Sequence, residues 1–239
     1  MWTSTALASE HRPYAGRVWR VVEAQHRIST NRLAANLADQ ALLEELVEAV
    51  KPNMPEAARH LDYLLAAPFR YGHKQASRFR RAHERPGIFY ASESEATALA
   101  ETAYWQLLFY ARSPGFVPPS STVERTSFTA TVKTDHALDL TRPPFDRDEA
   151  QWTDAQDYRA CQDLATLARG AGTAIIRTRS ARDPQRRCNI VVLAPVAFAE
   201  RRPKPGKSWH FRFENNRLIA IAAFPSNDRF EFHAADWGI

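Results

Sequence analysis

Cysteine is scarce in this chain. Cys161 and Cys188 are the two in 239 residues, far apart and in no metal or redox spacing. Neither a disulfide framework nor a cysteine-built metal site is expected. Cys161 falls on an apolar helical pattern and reads as a core filler. Glycine is also rare, with eight residues. None forms a G-x-x-x-x-G-K-[ST] or G-x-G-x-x-G loop, so the phosphate cradles built on those loops are excluded. There is no H-E-x-x-H. The eight histidines (His11, His26, His60, His73, His83, His136, His210, His233) are dispersed, and no structural metal is expected. The absence of G-x-S-x-G removes the hydrolase nucleophile elbow. No run approaches the ~20 apolar residues of a spanning helix. The opening MWTSTALASEHRPY has no long apolar stretch either. A reduced cytoplasmic compartment without membrane contact is the expectation.

What is present describes a globular protein. Hydrophobic residues make up 44% and aromatics 11%, too many for a disordered chain. The length suits one large domain. A net charge of +5 and a pI near 9.4 point to anionic partners. The cations are interspersed with 27 acids, so general nucleic-acid binding is the lesser reading.

Along the chain, residues 1–15 read as a loose lead-in and 16–239 as one domain. Arg17–Glu23 alternates like a strand, with Arg20 and Val22 on one face. Ser29-Thr30 is placed to cap a helix from Asn31 to about Val50, with Leu33, Leu37, Leu43, Leu46, Val47 and Val50 at helical spacing. A second helix is expected from Pro55, using Leu61, Leu64 and Leu65 and closed by Pro68. Together they make an N-terminal helical hairpin over residues 30–67. Ile88–Tyr90 is a short apolar strand. Ser92-x-x-Glu95 is a capping-box pattern opening a helix to about Ala111. Strands are expected at Thr126–Thr134 and Ala137–Leu140, and Thr153-x-x-Gln156 as another helix start. Further strands are expected at Thr173–Arg177, Asn189–Leu193, Trp209–Phe213, Leu218–Phe224 and Phe230–His233. Asn215-Asn216 is a hairpin turn. Without strict βαβ alternation, the class is α+β.

The stretch Ser77–Tyr110 gathers the chemistry. Arg78 and Arg80 flank Phe79; pointing one way, they would form a double cation for a pyrophosphate, against the ordinary reading of a solvated charge run. Arg20 reads as a surface arginine or as a phosphate clamp. Tyr90 reads as a core tyrosine or as a wall for a flat heterocycle. Glu101 lies too deep in its helix to be a cap, among Thr97, Ala98, Tyr104 and Trp105. A carboxylate there needs a partner or a purpose. Ser180 ends the strand TAIIRTR, as a turn serine or a hydroxyl facing a ligand.

Taken together, VWRVVEAQH, SRFRR followed by GIFYASESEATALAE, and IIRTRSARDP with CNIVVLAP downstream resemble the RES domain. This is a family of bacterial toxins usually paired with Xre-like antitoxins. The resemblance runs from about Gly16 to about His233. It implies a mixed or antiparallel sheet core resembling the ADP-ribosyltransferase fold. It also implies an enzyme with NAD as substrate, consumed by hydrolysis or phosphorolysis, or used for protein ADP-ribosylation. On that resemblance the catalytic set is Glu101, Arg20 and Ser180. NAD would be held by Arg20, Arg78, Arg80, Tyr90 and Ser180, with Arg20 on the phosphates, Arg78 helping and Tyr90 on nicotinamide or ribose. Many family members carry a G-x-R-W-N stretch where this chain has SRFRR, so the division of labour between Arg78 and Arg80 stays open. The implied partner is an Xre-like antitoxin, with nucleic acid met only through it; a homodimer stays open. A non-catalytic basic binding module is the competing reading.

Overall fold

The computed structural model describes residues 2–23, 36–113, 115–119 and 121–239. Its sheet holds eight strands among them: β1 (Arg12–Glu23), β2 (Phe89–Ser92), β3 (Val123–Asp139), β4 (Ile175–Arg179), β5 (Cys188–Val192), β6 (Lys204–Glu214), β7 (Arg217–Ala222) and β8 (Arg229–His233). The helices are α1 (Ser4–Ser9), α2 (Leu37–Val50), α3 (Tyr63–Arg70), α4 (Glu95–Ala111), α5 (Glu149–Trp152) and α6 (Arg159–Gly170). The class is α+β, as the pattern predicts. No helix among the described residues is long and apolar enough to cross a membrane.

The strands run in the order β1-β2-β5-β4-β3-β6-β7-β8, and β1 also pairs with β3. The first five therefore close into a ring, and β6, β7 and β8 extend from β3 as antiparallel neighbours. Only β3 and β4 run parallel. The β6–β7 hairpin turns on Asn215 and Asn216, both at positive φ, 49° and 59°. That is the backbone a two-residue turn of this kind demands, and asparagine tolerates it.

Three apolar clusters fill the spaces. Phe69 of α3, Phe89 of β2, Phe128 of β3 and Phe198 share one. Leu164 of α6, Leu7 of α1 and Val191 of β5 share the second. Leu99 and Leu107 of α4 pack on Trp209 and Phe232 in the third. β5 is buried along its whole length, which explains its near-continuous apolar run. In the second cluster, burial pushes the Cys161 thiol up to about 12, the behaviour of an inert core cysteine.

Several expectations change. Residues 2–15 are not a loose lead-in: Leu7 is buried, Thr3 caps α1, and β1 begins at Arg12. Ser29-Thr30 lies outside the described residues, and α2 is capped by Asn36, whose side chain accepts from Asp39 N. Of the helical hairpin expected over 30–67, residues 30–35 lie outside the described residues; α2 buries none of its side chains, and Glu48 on it pairs with Arg70 of α3. Pro55 instead precedes a short 3₁₀ turn, Glu56–Ala58. The second helix starts after Asp62, which accepts from Leu64 N, and Pro68 lies inside it. Ser92 ends β2; the cap of α4 is Ser94, whose hydroxyl accepts from Thr97 N. The two strands expected around residues 126–140 are one. Between its pairings of Thr134 with Tyr14 and Ala137 with Arg12, β3 carries an extra residue. Such a bulge shifts the alternation and makes one strand read as two. Thr153 does not open a helix. It follows the last residue of α5 and its hydroxyl donates back to Glu149 O in the first turn, and Asp157 accepts from Arg159 N at the start of α6.

Candidate active site

α4 packs on β1 and carries Ala98, Glu101, Thr102 and Trp105 toward one space, Ala98 lying three and four residues before Glu101 and Thr102, and Trp105 four and three after them. This face closes a cavity of about 290 Å³ against β1, β2 and β5. Arg20, Arg78, Tyr90 and Glu101, far apart in sequence, all line it.

Arg20 reaches the cavity from β1. It is not a fully exposed surface arginine: the residue is half-buried, and α4 packs against the strand that carries it. The guanidinium carbon lies 4.7 Å from the centroid of the Phe89 ring. Its Nη1 is buried with no hydrogen-bond partner among the described residues. Burial pulls its pKa down to about 10. A half-buried guanidinium with a buried, unused donor is costly and suited to an anion that brings its own oxygens.

Arg78 and Arg80 do not point one way. Arg78 lines the cavity and donates through Nη1 to the carbonyls of Arg179 (3.0 Å) and Trp152 (3.3 Å). Arg80 turns into the protein at 4% exposure. It donates to the carbonyls of His73, Arg81 and Gln75. That is a brace for the loop between α3 and β2, outside the cavity lining. The expectation of a paired cation fails because Ser77 and Arg80 close a tight turn by mutual backbone bonds, which reverses the direction of one side chain.

Tyr90 meets both readings at once. Its hydroxyl bonds Ser77 Oγ (2.9 Å) and accepts from Phe79 N (3.0 Å), while the residue lines the cavity. Burial raises its pKa, so it stays a neutral wall.

Glu101 is the one carboxylate in the lining. Ser180 Oγ donates to its Oε1 at 2.6 Å and Asn189 Nδ2 at 2.5 Å. Oε2 has no hydrogen bond among the described residues. Ser180 itself accepts from Arg182 N and Asp183 N, which fixes its hydroxyl. The same turn is tied to α4 a second time, one helical turn earlier: Thr97 Oγ1 donates to Asp183 Oδ2 at 2.7 Å. Burial pushes the Asp183 carboxyl up, but bonds from Arg187 and Thr97 outweigh it and its pKa falls. Asn189 is held in turn, accepting from Ser92 Oγ at 2.7 Å.

Ser180 therefore acts on Glu101 and does not line the cavity. Two lining residues were missed as site candidates. Asn189 entered only as part of CNIVVLAP; its signal was a polar residue inside an otherwise apolar buried strand, which demands partners. Arg182 lies 3.6 Å above the Tyr104 ring and donates to Ala155 O and Tyr158 Oη. Nothing in the turn sequence SARDP singled it out.

This geometry can hold an anionic, sugar-bearing ligand and put one fixed carboxylate oxygen beside it. A family model for the RES domain matches residues 54–214. Arg78, Tyr90, Glu101, Ser180 and Asn189 lie inside that range; Arg20 lies before it and is joined to the site by the fold. No curated protein matches the chain. Among solved structures, the chain is similar to the M. tuberculosis MbcT-MbcA toxin-antitoxin complex, at 14% identity. That match covers 87% of this chain and 90% of the other, with a TM-score of 0.48.

Proposed function

The chain belongs to the RES domain family, and from that premise we propose that it is a bacterial toxin that consumes NAD by cleaving the nicotinamide–ribose bond. The observation that carries the reading is the sharing of one cavity by the unpartnered guanidinium of Arg20 and the clamped carboxylate of Glu101.

In this reading Arg20 and Arg78 hold the pyrophosphate, and the Tyr90 ring walls the nicotinamide. The bond between ribose C1′ and the nicotinamide nitrogen breaks with its electron pair going to nicotinamide. The ring leaves neutral, and the positive charge passes to the ribose as an oxocarbenium-like centre. Glu101 stabilises that charge from a fixed position, so no reorganisation is needed as it develops. Fixing both ends of the dinucleotide keeps the scissile bond against the carboxylate. An acceptor oxygen then adds to C1′ and loses its proton.

The acceptor is read from the products. Purified protein is incubated with NAD labelled in its adenosine half. Free nicotinamide together with labelled ADP-ribose indicates water, and labelled ADP-ribose phosphate indicates phosphate. Label retained on protein indicates ADP-ribosylation instead. No release of nicotinamide under any condition would reject the proposal. An Xre-like antitoxin as neutralising partner, and action in the cytoplasm, belong to the same proposal and rest on the family alone.

A further inference from the structure

Beside the cavity lies a second, more open groove of about 570 Å³. We propose that it takes the purine base of the dinucleotide, an inference that rests on the reading of the cavity as an NAD site.

The two spaces adjoin. Thr102 and Trp105 line both. The same two elements also wall both: β1 contributes Arg20 to the first and Glu23 to the second, and α4 contributes Glu101 to the first and Phe109 to the second. From Glu101 to Phe109 the helix advances roughly 12 Å at 1.5 Å per residue. A ligand with its scissile sugar at Glu101 and its phosphates near Arg20 thus has its far end directed along α4.

The groove's chemistry suits a flat heterocycle. Trp105, Phe109 and Phe116 are 41%, 53% and 43% exposed, unusual for three large aromatics on one patch. Tyr110 stacks on Phe116 at 5.3 Å and 17°, so the wall is ordered before anything binds. Behind it, Arg125 donates to Gln106 Oε1 at 2.5 Å and Glu23 Oε1 at 3.3 Å, while its Nε is buried without a partner. Polar edge groups beneath stacking faces are what a purine uses: its π-face takes the rings and its ring nitrogens take donors.

The test compares wild type and Phe109→Ala on NAD and on nicotinamide mononucleotide, which has the same scissile bond and no purine. Equilibrium dialysis with labelled adenosine runs beside it. Loss of one stacking face is expected to raise KM for NAD about tenfold, with kcat nearly unchanged. Mononucleotide turnover stays at the wild-type rate, and adenosine binding weakens. Equal losses on both substrates, no change on NAD, or no adenosine binding by wild type would overturn the proposal. Where mononucleotide turnover is too slow to measure, the adenosine arm decides. If wild type turns over neither compound, the NAD reading of the cavity fails, and adenosine binding alone judges the groove.

Discussion

Ser180 holds Glu101: its hydroxyl donates to Oε1 at 2.6 Å across 79 positions of sequence. With Asn189 on the same oxygen, the carboxylate is clamped from one side and its Oε2 is left for the ligand. The pair explains how one glutamate, with no ion pair among the described residues, is held in a single orientation. Expectations for variants follow from this arrangement.

Asn189→Ala and Ser180→Ala are expected to leave Glu101 in place but free to rotate. Each should lower kcat by about tenfold or more, with a smaller change in KM, because the loss falls on transition-state stabilisation. Ser180→Ala should also cost roughly 1 kcal/mol of stability, since the amides of Arg182 and Asp183 lose their acceptor. Steady-state kinetics and denaturant melts check both; unchanged kcat in both variants would remove the clamp from the mechanism.

Arg20 should trade stability for binding. Its Nη1 is buried and unpartnered among the described residues, and desolvation pulls its pKa to about 10. The charged form therefore opposes folding throughout the range below that value. Arg20→Met is expected to stabilise the free protein by about 0.5–2 kcal/mol while abolishing NAD binding. Thermal melts with and without ligand measure the two effects together.

Arg78 and Arg80 should separate cleanly. Arg78→Ala is expected to raise KM for NAD and to cost less stability than Arg80→Ala, since it frees two carbonyls, of Trp152 and Arg179, rather than three. Arg80→Ala leaves the carbonyls of His73, Arg81 and Gln75 without their donor and should cost about 2–4 kcal/mol. The opposite ranking would return Arg80 to the ligand.

Stability should fall on mild acidification. The His11 ring lies 3.3 Å from His136 (Nδ1 to Nδ1) and bonds Thr173 Oγ1. Desolvation and the neighbouring imidazole lower its pKa from 6.5, so the folded protein binds its proton less readily than the unfolded chain. The stability from neutral His11 is complete above the unfolded value of 6.5 and declines as pH drops below it. His73, also lowered by desolvation and by Arg80 and Arg20, adds in the same sense. His11→Gln should flatten the stability profile between about pH 7 and pH 5.

Much of this was legible because it depends on local pattern. The alternation around Arg20, the Asn215-Asn216 turn and the apolar runs of β4 and β5 each follow from neighbours in sequence. What was not legible depends on contacts made elsewhere. Leu37, Leu46 and Val50 are spaced for a buried face, yet Leu37 and Val50 are each 84% exposed; spacing defines a face without supplying anything to cover it. Ser92 fits a capping pattern in sequence, but it ends β2 and donates to Asn189, and Ser94 caps the helix instead. Arg78 and Arg80 are two residues apart on an alternating stretch, but a turn between them overrides the alternation. Glu101 stood out as an acid on an otherwise uncharged face; its clamp could not, because Ser180 arrives from the turn after β4 and Asn189 from β5.

The most direct measurement is nicotinamide release from NAD by wild type and by Glu101→Gln, with circular dichroism and melting temperature recorded on the same samples. The account predicts that wild type releases nicotinamide, and that the variant keeps its fold and its NAD binding but loses at least about a hundredfold in kcat. A folded Glu101→Gln protein that releases nicotinamide at the wild-type rate would contradict it.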